Sequence, residues 1–235
     1  MNIEDRFAVH HKLSEIGTEG QRKSKAAKIA IVGLGGLGSN VAIGLIGLGI
    51  GHLTLIDDDT VHASNLARQI LYTEKDIGFP KSLKAKERLI LRNSEIVISV
   101  FEKRLNSKNS CELLKEHDII IDGTDNIVSR LSIDSFCAQY KIPLIYAGLE
   151  GFSGQVSVFN YNSGKSFSET FANLEELFSK ENCSDSGVIL PLASIVSNIQ
   201  VLQAFNIILD RKPVFQGVLQ IINLQNLTFR QFKLS

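Results

Sequence analysis

Gly33-Leu34-Gly35-Gly36-Leu37-Gly38 follows the apolar run Ile29-Ala30-Ile31-Val32 and fits the spacing GxGxxG. Glycines at those steps let the backbone turn tightly and come close to an anion. A helix that begins there aims free N–H groups and the positive end of its dipole at phosphate oxygens. Asp57 stands 19 residues beyond Gly38, after the next apolar run, where a carboxylate accepts from ribose hydroxyls. Gly35 and Gly36 are therefore expected at a nucleotide and Asp57 at its sugar. A glycine turn made only for close packing is the plainer alternative. The motif by itself leaves NAD and ATP both open.

The residues after Asp57 separate those two ligands. In Asp57-Asp58-Asp59-Thr60-Val61-His62-Ala63-Ser64-Asn65-Leu66-Ala67-Arg68-Gln69, an amide and a guanidinium follow eight and eleven residues past the ribose acid. A dinucleotide has no use for them there, whereas the β and γ groups of a triphosphate need cations and donors beyond the glycine loop. Lys81, just after Pro80 at a helix start, is a second candidate cation. Farther on, Asp122-Gly123-Thr124-Asp125-Asn126 follows an apolar strand, at the carboxyl edge where open α/β sheets bind ligands. A lone carboxylate at Asp125 suits a Mg²⁺ ion carried in with the triphosphate, because Mg²⁺ takes few protein ligands. Each residue has an ordinary alternative: Arg68 as a surface ion-pair partner, Lys81 as a solvated first-turn residue, Asp125 as a helix N-cap. Their order along the chain argues for one shared site.

The elements that must position these residues alternate. Strands are expected at Lys28 to Val32, His52 to Ile56, Ile96 to Phe101, Asp118 to Ile121 and Leu144 to Ala147. Helices are expected at Leu37 to Leu48, Lys81 to Leu91, Cys111 to Glu116 and Ile127 to Tyr140. This βαβα order predicts an α/β, Rossmann-like, doubly wound and mostly parallel sheet. Ahead of it, residues 1–27 read as a polar helical arm broken at Gly17 and Gly20. Behind it, a mixed extension carries a strand at Gln155 to Tyr161, a short helix at Phe171 to Phe178 and a loop at Glu181 to Gly187. A long helix follows from Leu190 to Leu209, with Ile195, Ile199, Leu202, Phe205 and Leu209 along one face, and then a hairpin around Gln225-Asn226. The whole is read as a single domain: arm 1–27, nucleotide-binding part 28–150, and a C-terminal part 151–235.

Composition narrows the function. Lys plus Arg and Asp plus Glu number 25 each among 235 residues, 44% of them hydrophobic. Neutral balance without a basic face argues against nucleic acid as a partner. Cys111, Cys137 and Cys183 stand singly, which supports neither a disulfide framework nor a CxxC metal site and suggests a reducing, cytoplasmic setting. Ile29 to Gly51 is uncharged and long enough for a membrane span, yet it carries eight glycines. A strand, a tight turn and a buried helix explain it better, so no membrane is expected.

Gly33-Leu-Gly-Gly-Leu-Gly38, Asp57-x-Asp59, Ser64-Asn65-Leu66-x-Arg68-Gln69, Gly78-x-Pro80-Lys81 and Asp122-x-Thr124-Asp125-Asn126 with Arg130 together resemble the ThiF/MoeB/HesA family. The resemblance runs from Arg6 to the C-terminal hairpin, and Asp57 to Ser82 is especially similar to ThiF. It implies a homodimer that uses ATP and Mg²⁺ to adenylylate the C-terminal carboxylate of a small ubiquitin-fold sulfur carrier protein, releasing pyrophosphate. Carried over, Gly35, Gly36, Asp57, Ser64, Asn65, Arg68, Lys81, Asp125 and Asn126 would contact the nucleotide, with Arg68 and Lys81 also catalytic and Asp125 at the metal. Asn182-Cys183-Ser184-Asp185-Ser186-Gly187 is similar to the loop with ThiF's sulfur-transfer cysteine, so Cys183 is a further catalytic candidate. Its plainer reading is a loop cysteine without a role.

Two features depart from the family pattern. Aligning Gly20-Gln21 puts Arg6 and Phe7 on the family's Arg-Tyr pair and Val9 where an arginine reaching into the partner's site is expected. Arg6, His10, His11 and Lys12 are the possible substitutes. The zinc-binding CxxC pairs are absent, with Phe167 and Thr170 near the first, so no zinc is expected. Rival readings are adenylylation of a ribosomal peptide or small-molecule carboxylate, a non-catalytic subunit of a heterodimeric activating enzyme, and an oxidoreductase resting on GxGxxG alone.

Overall fold

A computed structural model of the chain describes residues 6–171 and 187–234. Five strands, β1 (Lys28–Val32), β2 (His52–Ile56), β3 (Val97–Phe101), β4 (Ile119–Asp122) and β5 (Leu144–Glu150), run parallel in the spatial order 3-2-1-4-5. Three more, β6 (Ser153–Phe159), β7 (Val218–Asn223) and β8 (Thr228–Lys233), extend the same sheet antiparallel to eight strands. The inner strands are nearly continuous apolar runs because helices cover both of their faces. β8 mixes polar residues with Phe229 and Phe232 and is largely exposed.

The helices are α1 (Ala8–His11), α2 (Gly17–Ala26), α3 (Gly38–Gly47), α4 (Lys81–Arg92), α5 (Ser110–Leu114), α6 (Ile127–Tyr140), α7 (Phe167–Thr170) and α8 (Leu190–Ile208). One core lies between the sheet and α3, α4 and α8, around Ile29, Leu45, Leu55, Leu89 and Val196. The other lies under α5, α6 and α7, around Ile120, Leu114, Phe136 and Phe167. The order reverses between β1 and β4, which start crossovers in opposite directions. That opens a crevice at their carboxyl ends, where ligands of such sheets bind.

Several expectations are revised. The arm does not break at Gly20. Gly17, at φ +56°, starts α2, while Gly20 lies buried within it, where a Cβ would come 2.8 Å from Leu209 Cδ2. Close helix packing, rather than a chain reversal, uses that glycine. A short helix α7 precedes the expected helix from Phe171 to Phe178 and is capped by Phe171; the remainder of that expected helix lies outside the described residues. In α8 the expected stripe is also displaced. Leu202 is 51% exposed, and the buried face carries Ser197 and Gln200 beside Ala193, Val196 and Ala204. Ser197 Oγ donates to Leu37 O (3.0 Å), and Gln200 Nε2 donates to Asp122 O (3.0 Å) and Ile145 O (3.1 Å). A helix apolar on all sides has no period to reveal its inner face; here polar side chains that satisfy loop and strand carbonyls select it. Ile29 to Gly51 forms β1, the glycine turn and α3, as expected. Among the described helices, α8 is long and apolar enough to cross a membrane, though more than half of that stretch is buried.

Candidate active site

A cavity of about 650 Å³ opens at the carboxyl ends of β1, β4 and β5. One half is walled by Gly35, Gly36, Asn65, Arg68, Lys81 and Asp125, brought together from four separate segments of the chain. The other half is walled by Gly148, Glu150, Ser153, Gln155 and Ile221 from β5, β6 and β7.

The glycine loop is held from below. Gly33 has φ +84°, and a Cβ on it would sit 2.7 Å from Gly123 O, so the loops after β1 and β4 touch with no room for a side chain. The Leu34 peptide is clamped at both ends: its N–H donates to Asp57 Oδ2 (2.5 Å), and its carbonyl accepts from the buried Tyr72 hydroxyl (3.0 Å). Beyond it, Ser39 Oγ donates to Gly35 O (2.6 Å) and Asn40 Nδ2 to Gly36 O (2.7 Å). The N–H groups of Gly35 and Gly36 have no protein acceptor among the described residues. Unpaired donors at a helix start form an anion site.

Asp57 sits beneath this loop and is not among the lining residues. Its second oxygen accepts from Asp59 N–H (2.8 Å). Burial pushes its carboxyl above the ordinary range, against the pull of the Leu34 and Asp59 N–H groups and the charge of Lys81. The structure thus gives Asp57 a definite task in holding the loop.

Lys81 is not a solvated first-turn residue. It is 5% exposed, and its Nζ lies 2.5 Å from Asp59 Oδ2, at the cavity wall. Burial raises the Asp59 carboxyl, but the Lys81 hydrogen bond and charge outweigh it and hold Asp59 low. Arg68 has no carboxylate partner among the described residues; its Nη1 donates to Ser64 O (3.2 Å), and its stem lies against Gly36. Asn65 is buried and uses Oδ1 to accept from His62 N–H (3.1 Å). Ser64 is exposed and outside the lining. Asp125 does not cap α6. That role belongs to Asn126, whose Oδ1 accepts from Ser129 N–H (2.9 Å), so Asp125 is left exposed at the cavity. Cys183 lies outside the described residues. Arg6, one possible substitute for the missing arginine, donates to Arg92 O of its own chain (2.7 Å), and Val9 is exposed.

Arg130 and Asp122 belong to a sequence motif that by itself assigns them no task. They form a buried ion pair, Nε to Oδ2 at 2.7 Å, with side chains 8% and 0% exposed. Arg130 Nη2 also donates to Thr124 O (2.9 Å) and Ala147 O (3.1 Å), and its guanidinium lies 4.6 Å from the Tyr146 ring centroid. Although burial works against the charge, Asp122 raises the Arg130 pKa. The pair ties β4, β5 and the Asp125 loop into one rigid floor. Gln69 was likewise passed over. It is 2% exposed, lines the cavity, and leaves Oε1 without a partner among the described residues. Gln155 gave no sequence signal, because its neighbours across the sheet arrive from β5 and β7.

The family model for ThiF matches residues 7–235. The chain belongs to the ThiF family. A probable molybdopterin-synthase adenylyltransferase of Porphyra purpurea is 39% identical over 230 residues, 97% of this chain and 60% of that protein. A molybdopterin-synthase adenylyltransferase of Haemophilus influenzae is 37% identical over 224 residues, 94% of this chain and 91% of that one. An adenylyltransferase and sulfurtransferase MOCS3 of Culex quinquefasciatus is 36% identical over 222 residues, 94% of this chain and 51% of the relative. The chain therefore spans about half to three fifths of the length of the first and third of these ThiF-family relatives. Among solved structures, PaaA superposes with a TM-score of 0.78 at 27% identity, covering 91% of this chain and 66% of PaaA. Escherichia coli MccB crystallised with ATP gives 0.80 at 23% identity, covering 92% and 65%, a likeness of fold.

Proposed function

We propose that this ThiF-family chain uses ATP and Mg²⁺ to adenylylate the C-terminal carboxylate of a small ubiquitin-fold sulfur carrier protein, releasing pyrophosphate. The observation that carries this is the two-part cavity. A half lined by Arg68, Lys81 and glycine-loop N–H groups opens into a half walled by β5, β6 and β7, which carries Glu150 but no lysine or arginine from those strands. A nucleotide anion and a carboxylate can meet only where cations offset their repulsion.

In the reaction, a carboxylate oxygen attacks the α-phosphorus of ATP and the bond from that phosphorus to the β-phosphate's bridging oxygen breaks. The nucleophile is already ionised, so no proton has to be removed and no general base is needed. Arg68 and Lys81 offset the charge on the phosphates, and the N–H groups of Gly35 and Gly36 donate to their oxygens. Asp59 holds the Lys81 ammonium at the cavity wall. Arg130, neutralised by Asp122, holds the Asp125 loop at the cavity edge.

Asp125 fits a Mg²⁺ ion that arrives with the triphosphate: it is an exposed carboxylate in the phosphate half, where Asp59 is already paired with Lys81, and no group of three or more metal-ligating side chains gathers among the described residues. Such an ion takes one or two protein carboxylates and fills its other positions with phosphate oxygens and water; when bound, it supplies charge neutralisation for the departing pyrophosphate. The names of the relatives in Porphyra, Haemophilus and Culex support adenylylation. A homodimer in a reducing cytoplasm completes the proposal.

The test is exchange of labelled pyrophosphate into ATP. Exchange that requires a ubiquitin-fold sulfur carrier from the same genome, and stops when its terminal residue is removed, is the expected result. Exchange with a short peptide but with no such carrier would replace the substrate.

A further inference from the structure

The acyl half of the cavity contains a carboxamide held at its nitrogen end by a neighbouring hydroxyl. Gln155 points from β6 into the cavity, and its Nε2 donates to the Tyr146 hydroxyl at 2.7 Å. The Tyr146 ring is itself held between the Arg130 guanidinium, 4.6 Å away, and the Phe159 and Phe167 rings at 6.0 and 5.0 Å. With its amide nitrogen committed to this anchored hydroxyl, Gln155 turns its Oε1 away from Tyr146. That oxygen has no partner among the described residues and is not sealed from the cavity. A carboxamide with one end tied presents a pure acceptor at the other.

Gly148 is the register partner of Gln155, and a Cβ there would come 3.0 Å from both Gln155 Nε2 and Tyr146 Oη. Any side chain at 148 would press on this hydrogen bond. Gly148, Ser153 and Gln155 line this half of the cavity together with Glu150, and Ile221 stands beside Gln155 in register on β7.

We propose that Gln155 is a specificity-determining residue whose Oε1 accepts the amide N–H of the substrate's terminal residue, so that the site selects carboxylates at the end of a polypeptide over simple carboxylic acids. This rests on the adenylylation reading. A carboxylate that ends a polypeptide carries an N–H on the same Cα that bears the carboxyl group, whereas a simple acid has none. An unpaired acceptor at that spot rewards the first and leaves the second with a desolvated oxygen unmatched.

Three adenylate mimics separate the terms: 5′-sulfamoyladenosine alone, its N-acetylglycyl derivative, and its acetoxyacetyl derivative, in which an ester oxygen replaces that one N–H. Glycine adds no side chain to confuse the comparison. Calorimetry on the full chain is expected to give about threefold to tenfold tighter binding of the amide than of the ester. Gln155→Leu should erase the difference while binding sulfamoyladenosine alone as the unaltered chain does, which also certifies its fold. Tyr146→Phe, which keeps the ring under Arg130 but frees the carboxamide, should shrink the difference. Equal binding of amide and ester to the unaltered chain, or a preference that persists in Gln155→Leu, overturns the proposal. No binding of sulfamoyladenosine at all is the separate failure of the adenylylation reading and removes this one with it.

Discussion

Replacing Arg130 by methionine isolates the buried ion pair. The change removes the Nε donor from Asp122 Oδ2 and the Nη2 donor from the carbonyls of Thr124 and Ala147. Asp122 keeps only Thr124, whose N–H and hydroxyl both donate to Oδ1, so Oδ2 is left bare on a side chain 0% exposed. Breaking one partner of such a pair costs about 3–5 kcal/mol, a large share of a total stability of roughly 5–15 kcal/mol. The assay is urea unfolding followed by circular dichroism, comparing midpoints at unchanged slope. The double change Asp122→Asn with Arg130→Met removes the charge and keeps an acceptor for Thr124, so it should recover at least half of the loss. A loss under about 1 kcal/mol for the single change would refute the reasoning, since that is the range of an exposed pair. So would a double variant no more stable than the single one.

Lys81→Met should keep the fold, because its partner Asp59 is half exposed, and weaken ATP binding by about 10- to 100-fold, the worth of a charge-assisted hydrogen bond; calorimetric titration reads it. Gly33→Ala forces a Cβ against Gly123 O at φ +84° and should cost at least about 1 kcal/mol, lowering the melting temperature and ATP affinity together. His117 Nδ1 donates to Leu114 O (3.0 Å) while its Nε2 meets the Thr54 hydroxyl (2.7 Å), and burial holds its pKa below the ordinary 6.5. The unfolded chain binds that proton more readily, so this histidine lowers stability as pH falls below about 6.5 and has no effect above it. His117→Gln should flatten the acid side of a stability–pH curve measured by urea unfolding; an unchanged slope would contradict the assignment.

The parallel half of the fold was legible because each strand is a short apolar run bounded by a glycine turn, a proline or an asparagine. β2 and α6 begin and end where the pattern places them. The site was legible where a residue type is costly elsewhere: clustered glycines, Arg68 eleven residues past Asp57, and Lys81 at the start of α4. Burial was not legible. Lys81 reads as a surface lysine, and only the folded chain brings Asp59 beneath it. The inner face of α8 was misread because Ser197 and Gln200, polar by type, are buried by the carbonyls they satisfy. Asp57 kept its position but acquired partners in Leu34 and Asp59 that no spacing rule supplies. Arg130 and Gln155 depend on contacts across β4, β5 and β6, which are long-range and leave no local trace.

The account stands most directly on calorimetric titration of the unaltered chain and Asp125→Ala with ATP plus Mg²⁺, and separately with NAD. It predicts Mg²⁺-dependent ATP binding that the substitution weakens, and no binding of NAD. Binding of NAD alone, or ATP binding indifferent to both Mg²⁺ and Asp125, would contradict it.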